Sequence, residues 1–392
     1  MKKNKKIFLK VFIAFAWILL LLAGQTIVCY GGKSDNEKEN QTDREISDEL
    51  LGEMEFTEMQ QMIDELLGNK SFSIKEAVQN MIKGEEPVSK EAVREVLYSF
   101  FFSGLENEKT LFFRLLLMVL LSAVLASFAD VFENGQIGAV SFYVVYLVLF
   151  MMLMEAFLRL SSSLTVRLNW LTGFMKTLVP AYFLAVSVSS GTSTAAIFYE
   201  GVLFLVWAIQ WILVNLLLPG VNLCVLLKMV NYLSREEMLS KMSELLEVVI
   251  SWSLKSLVGV AVGLQVVKNL VAPVMDSLRR SAIGKTAGAI PGIGNVVNAI
   301  TELVLTSAVL VRNSLGAVIL VLLAAAGLQP VIHYGSLSLS YRFLAALSQP
   351  VSDKRVVGAL GAMGEGCALL LKLLLTAEIL CMLAFLVLMA GG

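Results

Sequence analysis

Apolar residues in this chain gather into long blocks instead of narrow stripes. Beyond the N-terminal segment, candidate spans fall at 110–131, 138–158, 172–190, 196–218, 248–271, 301–327 and 366–390. A helical run of about 18 or more apolar residues reaches across a hydrocarbon core, and a helix satisfies its own backbone there. The stretch 221–233 is too short to cross alone and reads as re-entrant or as an extension of its neighbour. The pattern predicts an all-α, polytopic helical membrane bundle over residues 110–392, with about six to eight helices.

Ahead of that body the period changes to that of short amphipathic helices. Phe56, Met59, Ile63, Leu66 and Leu67 recur at helical spacing. Ser73 and Glu76 have capping-box spacing ahead of Ile74, Ala77, Val78, Met81 and Ile82. After Pro87, Ser89 is placed to cap a third helix carrying Ala92, Val93, Val96 and Leu97. Three such helices bury little alone. They need a cover, which is either the rest of this chain or a partner. A further amphipathic stretch opens at Ser234 and Glu237, with Met238, Leu239, Met242, Leu245, Leu246 and Val249 on one face. It reads as an interfacial or partner-facing helix leading into a span.

Composition supports the membrane reading. The chain is 57% hydrophobic and 16% charged, against about 25% charged in ordinary soluble domains. Net charge is −1, so no bulk electrostatic case for nucleic acid exists. Acidic residues outnumber basic ones more than two to one between Asp35 and Glu108, and the balance reverses beyond Leu111.

Lys2, Lys3, Lys5, Lys6 and Lys10 precede an apolar run from Val11 to Val28. A basic head before an apolar run is the layout of an export signal. Residues 1–32 are read as a signal peptide or signal anchor, and 33–109 as a small, acidic, extracytoplasmic helical segment. Val28 before Cys29 is the wrong residue for a lipoprotein site. Cys224, Cys367 and Cys381 lie in apolar surroundings, and no C-x-x-C pair occurs. Buried thiols acting as small hydrophobes are the expectation. The positive-inside tendency gives a split vote on the remaining loops. With the acidic segment outside, Arg279, Arg280 and Lys285 fall inside, but the Arg159–Lys176 loop and Arg342, Lys354 and Arg355 fall outside.

Several features interrupt the spans. Pro180, Pro219 and Pro330 each remove a backbone donor within or beside an apolar run. Such breaks survive at membrane depth where protein or a water-filled cavity satisfies the freed groups. Ser187, Ser189, Ser190, Thr192, Ser193 and Thr194 surround Gly191. That junction is either a short turn or a polar lining to a passage.

Charges within the body are few. Arg114, Arg159, Lys176 and Lys372 lie near span ends and can snorkel. Lys255 and Glu378 belong to the same small set. Glu155, Glu200 and Glu302 are selected as candidates for a polar interior, with helix-packing hydrogen bonds as the alternative. Glu155 and Arg159 also have the favourable i, i+4 order. Gly259 and Gly263 form G-x-x-x-G, a spacing that lets another helix approach closely. A glycine-rich loop from Arg279 to Asn295, containing Pro291, Gly292 and Gly294, precedes the run Val296–Leu310.

Catalytic and cofactor motifs fail on inspection. Gly284-Lys285-Thr286 lacks the first glycine of a phosphate-binding loop, where Arg279 stands. Gly292-Ile-Gly294 lacks the third glycine and preceding strand of a dinucleotide site. His333 is the single histidine and makes neither a zinc site nor a triad. No cofactor, no metal and no catalytic group are expected, and the chain is read as not an enzyme.

The whole pattern resembles the stage III sporulation protein AE family of endospore-forming bacteria. The match rests on the signal-like start, the acidic helical segment, Pro180 with its serine-rich turn, and Lys268 to Leu315. Within the last stretch Ala289-Ile-Pro-Gly-Ile-Gly-Asn-Val-Val-Asn298, Glu302 and Asn313-Ser-Leu-Gly316 carry the signature. The resemblance implies synthesis in the mother cell and residence in the outer forespore membrane. It implies partners among the other stage III sporulation proteins of the same operon, including a secretion-type ATPase and ring-forming components. Together these would build a channel-like apparatus joining mother cell and forespore, required for late forespore gene expression. The family brings no catalytic residues. The alternative is a transporter-like permease subunit moving small molecules across the forespore membrane.

Overall fold

The structure is a computed structural model. It describes residues 51–52, 56–67, 73–83, single positions between 113 and 124, and 135–190, 192–233, 239–287 and 294–389. At 135–139, 192–198, 267–287, 294–305 and a few other positions only the backbone is described. The signal segment, the helix expected after Ser89, and Pro291 and Gly292 lie outside these residues, but the glycine-rich loop expected from Arg279 to Asn295 is shorter than that pattern suggested: the chain stays helical to Ala287 and is helical again from Gly294.

Two short helices, α1 (Thr57–Leu67) and α2 (Ile74–Lys83), come from the acidic segment. The Ser73 hydroxyl accepts the Glu76 N–H at 3.3 Å, as the capping-box spacing predicts. The Gln60 side-chain carbonyl, from α1, accepts the Ile74 N–H at 3.0 Å and fixes one helix to the start of the other. Their apolar faces, with Met59, Ile63, Ile74, Ala77 and Val78 buried, dock on the membrane body. At that contact Met62 lies against Gly173, with its sulfur 3.8 Å from Thr177 Oγ1. The cover these helices need therefore comes from the same chain.

Among the described residues the body's continuous helices are α3 (Gly135–Ser190), α4 (Thr192–Ile212), α5 (Leu218–Leu233), α6 (Ser240–Ala287), α7 (Gly294–Ser348) and α8 (Lys354–Met389). Five stretches among the described residues are long and apolar enough to span a membrane: Tyr143–Leu178, Tyr199–Leu233, Ser240–Val266, Thr306–Ser348 and Lys354–Met389. The multi-pass, all-helical architecture is as expected. The candidate 110–131 falls on positions that are only partly described.

Boundaries differ from the hydropathy pattern where polar residues had suggested loops. Spans 138–158 and 172–190, with the Arg159–Lys176 loop between them, are one continuous helix, α3. The reason is local. Leu160, Leu164, Leu168, Leu171, Met175 and Leu178 carry the buried stripe straight through the polar stretch. Thr165, Thr172 and Thr177 meanwhile return their hydroxyls to carbonyls four residues back, at 3.2, 3.1 and 3.2 Å. Polar side chains satisfied inside the helix do not end it. Span 301–327 likewise continues to Ser348, with Pro330 inside α7, and Pro180 sits inside α3.

Pro219 acts differently. Immediately before it, Leu213–Leu217 form a π-helical segment in which Leu218 donates to Leu213 O, and α5 follows without a break. The wider turn takes up the carbonyl displaced by a residue that has no N–H to offer. The stretch 221–233 is thus an extension of its neighbour, one of the two alternatives the sequence left.

α8 is the axis of the fold and contacts each of α3, α4, α5, α6 and α7. Apolar windows in α7 and α8 are 72% buried, against 17% for α6, which places α6 at the periphery. The α7–α8 antiparallel pair packs through missing side chains. A β-carbon on Gly316 would lie 2.7 Å from Met389 Cε and one on Gly364 2.8 Å from Arg342 Cγ, and α8 meets α5 in the same way, with such an atom on Gly366 2.6 Å from Val225 Cγ2. These glycines let whole helices approach, the role that G-x-x-x-G spacing suggests for Gly259 and Gly263. Those two are instead exposed, with nothing within 4 Å of an added β-carbon. The buried line of α6 runs through Ser243, Ile250, Leu254 and Ala261. Gly259 and Gly263 sit off it.

Candidate functional site

Two polar clusters sit within this apolar body, on different levels of α8. The first is built around Glu378. Its side chain is fully buried, and among the described residues neither carboxylate oxygen has a hydrogen-bond partner. Gly327 of α7 makes the room: a β-carbon there would lie 2.7 Å from Glu378 Cδ. Two residues along α7, Gln329 Oε1 accepts a hydrogen bond from Arg167 Nη2 of α3 at 2.8 Å. Arg167 is the charged group whose field acts on Glu378. Close by on the same two helices, the Tyr334 hydroxyl donates to the Leu160 carbonyl at 2.8 Å and ties α7 to α3. An acid, a cation and an amide from three helices thus share one layer.

The second cluster is centred on Lys228 of α5. Its ammonium donates to Glu247 of α6 and Glu365 of α8, both at 2.7 Å. The Lys228 side chain is 14% exposed, Glu247 27% and Glu365 51%, so the cluster is buried on one side and open on the other. It joins three helices at one point. Glu365 and Glu378 share α8, and a rise of about 1.5 Å per residue separates the two clusters by roughly 20 Å. From Gly366 to Met389 the only charged residues are Lys372 and Glu378, which puts Glu378 deep in the apolar run and Lys228 beside its edge.

The residues selected from sequence fall elsewhere. Glu155 and Glu200 are exposed, a correction to their assignment to a polar interior. Helical phase decides this: the buried stripe of α3 passes through Leu153, Ala156, Phe157 and Leu160, and that of α4 through Val202, Val206 and Ile209. Glu155 does approach Arg159, at 3.8 Å, as an exposed pair. Glu302, Gly294 and Asn295 lie on the first turns of α7, where side chains are not described. Lys255 and Lys176 are exposed. Cys224, Cys367 and Cys381 are buried thiols outside any disulfide, and Cys224 Sγ donates to the Ser243 carbonyl at 3.4 Å.

Hydropathy reading missed both clusters. Glu378 carried a signal, because it is the carboxylate nearest the middle of an unbroken apolar run. Lys228 was passed over because 221–233 is too short to span alone. Its two partners are distant in sequence and no spacing announces them.

Residues 72–392 match the family model described as Stage III sporulation protein AE. The chain is similar to "Stage III sporulation protein AE" of Bacillus subtilis (strain 168), with 22% identity over 96% of this chain and 98% of that protein. No solved structure matches.

Proposed function

The chain belongs to the stage III sporulation protein AE family and has a role in sporulation, and from that premise we propose that it is a membrane component of a channel-like, secretion-type complex joining mother cell and forespore. In this reading it resides in the outer forespore membrane and is needed for late forespore gene expression. Its partners are the other stage III sporulation proteins of the same operon, the secretion-type ATPase and the ring-forming components among them. It works without catalysis of its own.

One observation carries the proposal: the family match covers the whole described membrane body. Architecture is consistent with an assembly part. α6 presents Leu245, Val248, Trp252 and Val260 outward, and α4 presents Phe204, Trp207 and Trp211. Such surfaces suit lipid or neighbouring membrane helices. The test is affinity purification of the full chain from sporulating cells after mild crosslinking. Recovery of the operon-encoded proteins is expected, and recovery of none of them would count decisively against the reading.

A permease-type role is the second reading, favoured by the buried carboxyl group of Glu378, because intramembrane ionisable groups often mark transport paths. Reconstituted vesicles showing solute flux that depends on the ATPase would move the balance toward it.

A further inference from the structure

A carboxyl group with no hydrogen-bond partner, fully enclosed in the middle of a membrane body, is costly in either charge state and far more costly when ionised. Glu378 is in that position. Among the described residues no side chain neutralises it by contact. Arg167, whose field reaches it, is hydrogen-bonded at 2.8 Å to Gln329. Gly327 holds open the space that the carboxyl group occupies. An acid cradled by a glycine thus shares its surroundings with an arginine that is engaged with a neutral amide.

We propose that Glu378 is a proton-binding site at the centre of the bundle, and that Arg167 exchanges Gln329 for Glu378 as the proton leaves. The structure corresponds to the proton-bound form, with a neutral carboxylic acid and Arg167 on the amide. Release gives the proton to water entering beside the half-buried Arg167 and Gln329. The carboxylate left behind takes Arg167 as its ion pair, and the reverse exchange accompanies proton uptake. The step moves one proton and breaks no covalent bond other than O–H. It also couples α3, α7 and α8, because Arg167, Gln329 and Glu378 come from those helices in turn.

The ligand is a proton and not a metal cation. A sodium- or calcium-type site needs about six oxygen donors. Here the carboxylate is alone, Thr376 Oγ1 is engaged with the Lys372 carbonyl at 2.8 Å, and a guanidinium acts on the same space. The surrounding titratable groups are few. Arg167 faces the site from α3, Tyr334 lies on α7 near Arg167, and Cys381 lies one turn along α8. Among the described residues, α4, α5 and α6 bring no titratable group whose charge acts on Glu378. The inference concerns the membrane body itself and stands apart from the sporulation complex, so failure to recover partners does not bear on it.

The experiment is infrared difference spectroscopy of the full chain in lipid nanodiscs during pH steps between about 5 and 9, a range that brackets a buried carboxyl group. The wild type is expected to show a reversible carbonyl band of a protonated carboxylic acid that E378Q lacks. No titrating band that E378Q abolishes overturns the site. Gln329→Leu keeps the size of the side chain and frees Arg167. It is expected to shift the transition toward acid by about one pH unit, a tenfold fall in proton affinity. An unchanged transition in Q329L overturns the partner exchange while leaving the proton site. Both variants are read only after their thermal midpoint and size-exclusion profile match the wild type. Should E378Q not fold, the band is assigned instead by carbodiimide modification at acid pH, with the adduct mapped to residue 378 by mass spectrometry. A band that persists after modification of Glu378 overturns the site equally.

Discussion

Gly366 and Phe157 touch as backbone against ring: a β-carbon added to the glycine would stand 2.8 Å from Phe157 Cε2. That contact sets how closely α8 approaches α3 and α5. Gly366→Ala is expected to lower stability by about 1–3 kcal/mol through overpacking. Gly361→Ala on the same helix meets nothing within 4 Å and is expected to be neutral or to stabilise by up to about 1 kcal/mol through helix propensity. Thermal unfolding of the detergent-solubilised full chain separates the two. Equal effects would show that packing at Gly366 is not limiting.

Gly327 and Glu378 supply a second pair that is open to a double-mutant cycle. Gly327→Ala pushes on the Glu378 carboxyl group and is expected to destabilise. In a Glu378→Ala background the obstructing atoms are gone, and the same substitution is expected to cost much less. The coupling should reach about 1 kcal/mol or more, the range of residues in direct contact. Additive effects would show that residue 327 and the Glu378 carboxyl group are not in contact.

Lys228 holds two carboxylates, and removing it leaves both without a cation. Lys228→Met is expected to cost on the order of 2 kcal/mol, between the values for exposed and fully buried ion pairs. Glu247→Gln should be felt more than Glu365→Gln, because Glu365 is 51% exposed and Glu247 27%. Chemical unfolding in mixed micelles gives the order directly, and a larger effect at Glu365 would contradict the geometry.

Topology offers a test without energetics. Tyr232, at the end of α5, packs on Gly358 at the start of α8, so the α5–α6 and α7–α8 connections share one end of the bundle. Single cysteines replacing exposed Lys241 and Asp353, in a background without native cysteines, are expected to react from the same side of the membrane with an impermeant maleimide. Labelling from opposite sides would refute the antiparallel arrangement.

Sequence alone determined the class of this protein. Long apolar blocks with few charges leave a helical membrane bundle as the physical solution, because backbone groups in lipid must be satisfied within the segment. The capping box at Ser73 and Glu76 was legible for a similar reason, since it depends on residues three apart. The family signature was likewise visible in the residues themselves.

What tertiary structure decided was phase and partner. Hydropathy placed a loop at Arg159–Lys176 because it weighs side chains as if they faced water. In the fold, threonine hydroxyls bond back to their own helix, while the leucine stripe meets the core. Hydropathy also ranked Glu155 and Glu200 as interior groups, since a charge in an apolar run looks buried in one dimension. Around a helix, one residue of displacement turns a side chain by about 100°, and both acids fall on the outside. Glu378 falls inside because Gly327, some fifty residues earlier, leaves a space at the same height. No local pattern carries that pairing, which exists only once α7 and α8 lie side by side.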